Sequence, residues 1–313
     1  MRIVEYDEVV ARLDMETCIG LMKEAFMALE SGKASQSVRT LTFLPQGEIF
    51  GFMPAYLGKE DCFGAKIVTQ FPQNFGTGYP SHSGYVMVFE SEHGTCLGMA
   101  DANAITQIRT GCVSAAATDV LARADAKSLG IIGCGAQGRS HLNAILAVRP
   151  AIDTVKVYDI FREGAERFKA EMEAKHGIPI TVCDSAEEAV KDCDIVCTVT
   201  PSKEAYLKAE WIKPGAHVNC VGTFSPTTRE ATSELVAASK LYADQIEAMK
   251  KESGEYLIPL AEGLITEDHV VGSIGQVLLG TAPGRESEDE ITLFDALGLA
   301  VEDVICGRYL CME

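Results

Sequence analysis

An α/β chain of two domains, one a parallel sheet layered with helices and the other a mixed α+β domain, is predicted by three features of the 313-residue sequence. The length suits two domains of about 100–200 residues, each with its own core. Between residues 127 and 244, short apolar runs alternate with amphipathic stretches, as strand–helix–strand units of a parallel sheet do. Before residue 105 the apolar runs are short and turn-bounded, which predicts a mixed or antiparallel sheet.

Residues 15–31 are predicted helical, with Ile19, Met22, Phe26 and Leu29 on one face. Strands are predicted at 41–44, 49–53, 65–68 and 85–89. The Ala-rich, periodic stretch 104–122 predicts one long helix leading into the second pattern. There the strands are placed at 129–132, 155–158, 195–199, 216–221 and 240–243. Helices are placed at 137–148, 162–175 and 185–191, the last opening on a capping box of Ser185 and Glu188. The tail after Leu293 is apolar and reads as helical, returning to the first domain. The resulting boundaries are 1–118 with 293–313 for one domain and 119–292 for the other.

Lysines and arginines number 27 against 45 acids, a net charge of -18. Such a chain is repelled by phosphate backbones and anionic lipid surfaces, so neither nucleic acid nor membrane is an expected partner. No apolar stretch approaches the ~20 residues of a membrane span. The N-terminal stretch is too acidic for a signal peptide. The 11 cysteines are scattered without a Cys-x-x-Cys pair, and no histidines stand near them at ligand spacing. Neither zinc nor a disulfide framework is expected, and a reducing, cytoplasmic location is.

The apolar run Leu129-Gly130-Ile131-Ile132 leads directly into Gly133-Cys134-Gly135-Ala136-Gln137-Gly138 and then a helical stretch. Gly133 permits a tight turn, Gly135 lets backbone approach a pyrophosphate at the helix N-terminus, and Gly138 allows close helix–strand packing. A second strand then ends in an acid, Asp159. In that context the glycine loop predicts a Rossmann dinucleotide-binding domain. Asp159 would accept hydrogen bonds from the adenosine ribose and repel a 2′-phosphate, which favours NAD(H). Arg162, three residues on, could reach a 2′-phosphate and keeps NADP(H) open.

Cations are scarce in the first domain: from residue 34 to 109 they are Arg39, Lys59, Lys66 and Arg109. Lys59 sits in a charged turn. Lys66 interrupts the apolar strand Phe63-Gly64-Ala65-Lys66-Ile67-Val68, and Arg109 lies in an otherwise neutral helix. Cations in such surroundings need an anion. A structural salt bridge and a substrate carboxylate both satisfy that need. A desolvated lysine also has a depressed pKa, which suits proton transfer near neutrality. Among the histidines only His82, in Pro80-Ser81-His82-Ser83-Gly84, has loop chemistry near these residues, where it could shape a substrate pocket or be purely structural. No HExxH spacing and no Gly-x-Ser-x-Gly elbow occurs.

The segments Arg39-Thr40, Gly51-Phe52-Met53-Pro54-Ala55-Tyr56, Lys66-Ile67-Val68-Thr69 and Ile105-Thr106-Gln107-Ile108-Arg109-Thr110 resemble the ornithine cyclodeaminase/mu-crystallin family. So do the glycine loop, the stretch from Trp211 to Asn219, Arg229-Glu230 and the stretch from Leu293 to Asp303. The resemblance covers nearly the whole chain in the family's order. It implies a discontinuous substrate and dimerisation domain with an inserted Rossmann domain, assembled as a homodimer. It also implies that Arg39, Lys66 and Arg109 grip the carboxylate of a small imino or amino acid, with Lys66 handling a proton. Ser81, Thr110, Ala136, Gln137, Asp159, Thr198, Thr200 and Val221 fall where cofactor contacts are expected, and Leu297 where the nicotinamide pocket closes.

Two departures bear on the reaction. True cyclodeaminases carry a glutamate just before the Met-Pro pair and an aspartate in the loop after the fifth Rossmann strand, where this chain has Gly51 and Phe224. Cyclodeamination needs a base for its middle steps, whereas imine reduction needs a hydride donor, a carboxylate clamp and a proton donor. The expected activity is NAD(P)H-dependent reduction of Δ1-pyrroline-2-carboxylate or Δ1-piperideine-2-carboxylate to L-proline or L-pipecolate. An alanine-type NAD-dependent dehydrogenase, ornithine cyclodeaminase itself and a non-catalytic NAD(P)-binding crystallin are the alternatives.

Overall fold

Two sheets organise the computed structural model, which describes residues 1–74 and 76–312. Phe75 and Glu313, the end of the predicted tail, lie outside the described residues. Two compact units divide the chain, Met1–Arg109 with Leu299–Glu313, and Thr110–Gly298. Their boundaries fall at 109/110 and 298/299, where the sequence pattern placed them at 118/119 and 292/293.

The first unit contains β1 (Arg2–Val4), β2 (Ser35–Gln36), β3 (Thr40–Phe43), β4 (Ile49–Tyr56), β5 (Cys62–Gln70), β6 (His82–Glu90) and β7 (Cys96–Asp101). They join in the order β1-β7-β6-β5-β4-β2, with β3 beside β4. Every pairing is antiparallel except that of β1 with β7. Burial alternates along β4: Gly51, Met53 and Ala55 are buried while Phe50, Phe52 and Tyr56 are exposed. Alternation of this kind marks a sheet with one packed face. The C-terminal helix Ala300–Met312 covers that face over β4 to β7 and packs against the helix Met15–Glu30. Gly307 lets the helix approach closely, since a Cβ there would come within 2.8 Å of Val86 and Val88.

The second unit contains β8 (Ser128–Ile132), β9 (Thr154–Tyr158), β10 (Ile180–Val182), β11 (Ile195–Thr198), β12 (His217–Cys220), β13 (Ser239–Ala243), β14 (Val270–Ser273) and β15 (Ile291–Asp295). All pair in parallel, in the order β10-β9-β8-β11-β12-β15-β13-β14. The first five thus lie third, second, first, fourth, fifth, the strand order of a Rossmann sheet. β11 and β12 are buried at every position, as strands covered on both faces must be.

Two expectations are corrected. Residues 291–295 form a strand between β12 and β13, and the C-terminal helix begins only at Ala300. The run Ile291-Thr292-Leu293-Phe294 is β-branched and aromatic, and its pairing with distant Val218 and Leu241 decides its state. The capping box is half formed. The Ser185 hydroxyl accepts from the Glu188 N–H at 3.1 Å, but the Glu188 carboxylate accepts from the Asp184 N–H, one residue too early to close the box. Among the described residues no helix is long and apolar enough to cross a membrane.

Candidate active site

Lys66 sits mid-strand in β5, opposite Met53 and Val86, on the face covered by the C-terminal helix. Strand alternation therefore drives its side chain into the unit's core, where the residue is 5% exposed. The first turn of the covering helix meets it with two acids, Glu302 and Asp303, both fully buried. Acids in a first turn also suit the helix dipole. The Lys66 ammonium pairs with Asp303 Oδ2 at 2.7 Å and donates to the Thr106 hydroxyl at 3.4 Å.

Arg109 lies on the helix Ala102–Leu121, three residues after Thr106 and so on the same helix face. Its Nε donates to Asp303 Oδ1 at 3.2 Å and a terminal nitrogen to Glu302 Oε2 at 2.7 Å. Asp303 thus bridges the two cations that the sequence marks out, through one oxygen each. The salt-bridge reading of these cations is realised. Burial, with Arg109 nearby, pushes the Lys66 ammonium below its ordinary pKa against the opposing pull of Asp303. Burial also opposes the Arg109 charge, but Asp303 and Glu302 outweigh it and hold its pKa above the ordinary value. One cation is therefore primed to lose a proton and the other to stay charged.

Arg39 is half-buried between β2 and β3. Gln36, three residues before it, accepts from the Val301 N–H at 3.1 Å, which ties the start of the Arg39 segment to the same helix terminus. His82 opens β6, with its Nδ1 3.2 Å from the Ser81 hydroxyl and its carbonyl accepting from Asn103 at 3.0 Å. Partial burial of the ring pushes the His82 pKa below its ordinary value. Gly51 is on the Lys66 face, two residues from Met53; a Cβ there would lie 3.1 Å from Val68.

In the second unit the glycine loop joins β8 to the helix Ala136–Val148. Gly133 has a φ of 103°, and a Cβ on Gly138 would stand 2.2 Å from the Gly133 carbonyl oxygen, so neither position admits a side chain. A Cβ on Gly135 would meet nothing within 4 Å. The space in front of the helix N-terminus is open, and no side chain caps it. That is the cradle a pyrophosphate needs, with Ala136 and Gln137 in the first turn. Asp159 is fixed beside it: Oδ2 accepts from the Cys134 N–H at 2.8 Å and Oδ1 from the Phe161 N–H at 2.9 Å. An ionised carboxylate has further lone pairs for ribose hydroxyls. Arg162 is held by Asp184 and Glu166.

Thr198 ends β11, Thr200 follows it, and Val221 follows β12, so these three gather at the carboxyl ends of adjacent strands, where open α/β sheets bind ligands. The Leu297 and Gly298 N–H groups both donate to Asp244 Oδ2, at 2.7 and 2.9 Å. Thr110 is half-buried. Sequence reasoning missed Glu302 and Asp303. Their signal was present in Leu299-Ala300-Val301-Glu302-Asp303-Val304-Ile305, an apolar run broken by charge as the Lys66 strand is.

The profile of the ornithine cyclodeaminase/mu-crystallin family matches residues 2–311. The ketimine reductase mu-crystallin of Mus musculus is 36% identical over 278 residues, 88% of this chain and 84% of that protein. Among solved structures, Thermococcus litoralis Δ1-pyrroline-2-carboxylate reductase in complex with NADH and L-proline superposes with a TM-score of 0.95. It is 36% identical and the match covers 100% of this chain and 97% of that one. An archaeal alanine dehydrogenase dimer with bound NAD gives a TM-score of 0.91 at 32% identity, over 99% of this chain and 94% of that one.

Proposed function

The chain belongs to the ornithine cyclodeaminase/mu-crystallin family, and from that premise we propose that it is a nicotinamide-dependent reductase of cyclic imino acids. Its substrates are of the Δ1-pyrroline-2-carboxylate and Δ1-piperideine-2-carboxylate type, reduced to L-proline and L-pipecolate. The observation that carries this reading is the buried Lys66–Arg109 pair joined through Asp303, on a sheet face where Gly51 leaves no acid. The pyrroline-2-carboxylate and ketimine reductases among its relatives support it.

Arg109, always charged, and Arg39 hold the substrate carboxylate. Lys66, its ammonium destabilised by burial, gives a proton to the imine nitrogen, so that C=N becomes CH–NH. The reduced nicotinamide cofactor, when bound, supplies the hydride for the imine carbon. Gly133, Gly135, Ala136, Gln137 and Gly138 hold its pyrophosphate and Asp159 its adenosine ribose. Thr198, Thr200, Val221 and Leu297, with Ser81 and Thr110, contact its remaining parts. Asp159, with Arg162 already engaged by Asp184 and Glu166, favours NAD(H) over NADP(H). His82 shapes the pocket. Without an acid at position 51 or 224, the base that cyclodeamination requires is missing.

A homodimer is supported by the open sheet face bearing Phe50, Phe52, Tyr56 and Phe63, each 37–41% exposed, and by the dimeric alanine dehydrogenase relative. The 11 unbridged cysteines support a cytoplasmic, reducing location. The likeness to alanine dehydrogenase favours a second reading, oxidation of L-alanine with NAD. A panel of Δ1-pyrroline-2-carboxylate, Δ1-piperideine-2-carboxylate, L-alanine and L-ornithine, with both cofactors, tests the assignment. Turnover of the cyclic imines is expected. Turnover of L-alanine alone, or ammonia from ornithine alone, would replace it.

A further inference from the structure

Four carboxylates, Glu230, Asp244, Glu255 and Asp295, lie in the core of the second unit, each no more than 2% exposed. Acids belong in water unless something specific holds them, so four in one core need a reason. Glu230 shows one. Its Oε1 accepts from the Thr200 N–H at 2.8 Å, the Thr200 hydroxyl at 2.6 Å and the Tyr206 hydroxyl at 2.8 Å. Its Oε2 accepts from the Thr198 hydroxyl at 2.9 Å and the Gly222 N–H at 2.8 Å.

These donors come from two places in the chain, the end of β11 with the loop after it, and the loop after β12. One carboxylate therefore clamps the carboxyl ends of two neighbouring parallel strands. The clamp is tight: a Cβ on Gly222 would stand 2.7 Å from the Glu230 carboxyl carbon. Glu230 is itself braced, its N–H donating to Glu255 Oε1 at 2.6 Å and its carbonyl accepting from the Tyr206 and Leu207 N–H groups at 2.9 Å. Burial pushes the Glu230 pKa up while these donors pull it down, and a protonated acid would turn its O–H toward one of them, so the arrangement suits an acceptor-only carboxylate. An amide in its place would turn an NH2 group toward a backbone N–H that cannot reverse its direction.

We propose that Glu230 is a positioning residue for hydride transfer, fixing through the loops after β11 and β12 where the nicotinamide end of the cofactor lies. The proposal rests on the cofactor assignment above, in which Thr200 and Val221 contact parts other than the pyrophosphate and adenosine ribose; β11 and β12 lie across β8 from β9 and Asp159, on the half of a Rossmann sheet that takes the nicotinamide. The glycine loop and Asp159, which hold the other end, stand on β8 and β9 and make none of these contacts. Glu230 thus touches only the loops assigned to one half of the cofactor, so its loss should weaken the hold on that half more than on the other.

The test is Glu230→Gln, assayed for kcat with saturating NADH and Δ1-pyrroline-2-carboxylate, for the rate ratio between NADH and 4-deuterated NADH, and for binding of ADP, which has no nicotinamide. The expected result is a kcat at least 30-fold lower and a larger isotope effect than wild type, with ADP affinity within 3-fold. If Glu230→Gln does not fold, Glu230→Asp takes its place. It keeps the charge but is one methylene too short to span both loops, and the same results are expected. A kcat within 3-fold of wild type, or parallel losses of kcat and ADP affinity, would overturn the proposal. Wild-type protein that consumes no NADH with the imine would instead overturn the cofactor and substrate reading beneath it.

Discussion

Replacing Asp303 with asparagine isolates the buried ion cluster of the first unit. In the native cluster, Lys66 and Arg109 face Glu302 and Asp303, so two positive charges balance two negative ones away from water. Asp303→Asn leaves one uncompensated positive charge there. The amide oxygen can accept from Lys66 or Arg109, and its NH2 group must then point at the other cation. Removing one partner of a buried, hydrogen-bonded pair costs about 3–5 kcal/mol. At about 2.1 cal/mol/K of unfolding entropy per residue, each kcal/mol moves Tm of a 313-residue chain by about 1.5 °C, so the melting temperature should fall by about 5–8 °C. The second readout is chemical. Asp303 raises the Lys66 pKa against the burial that lowers it, so without Asp303 the ammonium loses its proton at a still lower pH. If Lys66 supplies the proton, the alkaline limb of the kcat/KM profile moves to lower pH in the variant. Calorimetry and a pH–rate series measure the two effects. A Tm within 2 °C of wild type together with an unmoved alkaline limb would show that Asp303 neither balances the buried cations nor tunes Lys66.

Further outcomes follow from other parts of the chain. Gly135→Ala meets no protein atom within 4 Å, so its Tm should match wild type while its affinity for NADH drops at least 10-fold; undiminished affinity in titration calorimetry would remove the pyrophosphate from that cradle. Burial pushes Glu255 up to about 7, and Glu230 adds to the shift. Its contribution to stability is full below pH about 4.5 and is lost as pH rises through about 7, a change of roughly 3 kcal/mol. Glu255→Gln cannot ionise and should flatten that decline in urea melts between pH 5 and pH 8; an unchanged slope would count against it. Phe50→Asp with Phe52→Asp places two charges on the open sheet face proposed as the dimer interface, and sedimentation should then show monomers for the variant and dimers for wild type. Dimers in both would move the interface elsewhere.

How much could be read from sequence varied with how local the determinant was. The glycine loop declares itself because turn, strand and helix are adjacent in the chain, and Asp159 ends the next strand. Lys66 and Arg109 are visible as charges in apolar or neutral stretches, and both prove buried. Their partners Glu302 and Asp303 carry the same signature, but which charge meets which depends on a helix packing across the sheet about 200 positions away in sequence. The end of the strand Ile291–Asp295 reads as part of a helical tail for the same reason, since its state depends on β12 and β13. Glu230 is the extreme case. It adjoins Arg229 in an ordinary polar stretch, and only the closure of two strand ends upon it reveals its surroundings.

Hydride transfer to the carbon of a cyclic imine, with a proton to its nitrogen, can be followed atom by atom. Δ1-Pyrroline-2-carboxylate is supplied with NADH deuterated at C4 on the transferred side, and the product is weighed. Proline carrying one deuterium at Cα, formed by wild type and at least 100-fold more slowly by Lys66→Met, is the predicted result. Proline without deuterium, or none at all while ornithine yields ammonia, would contradict it.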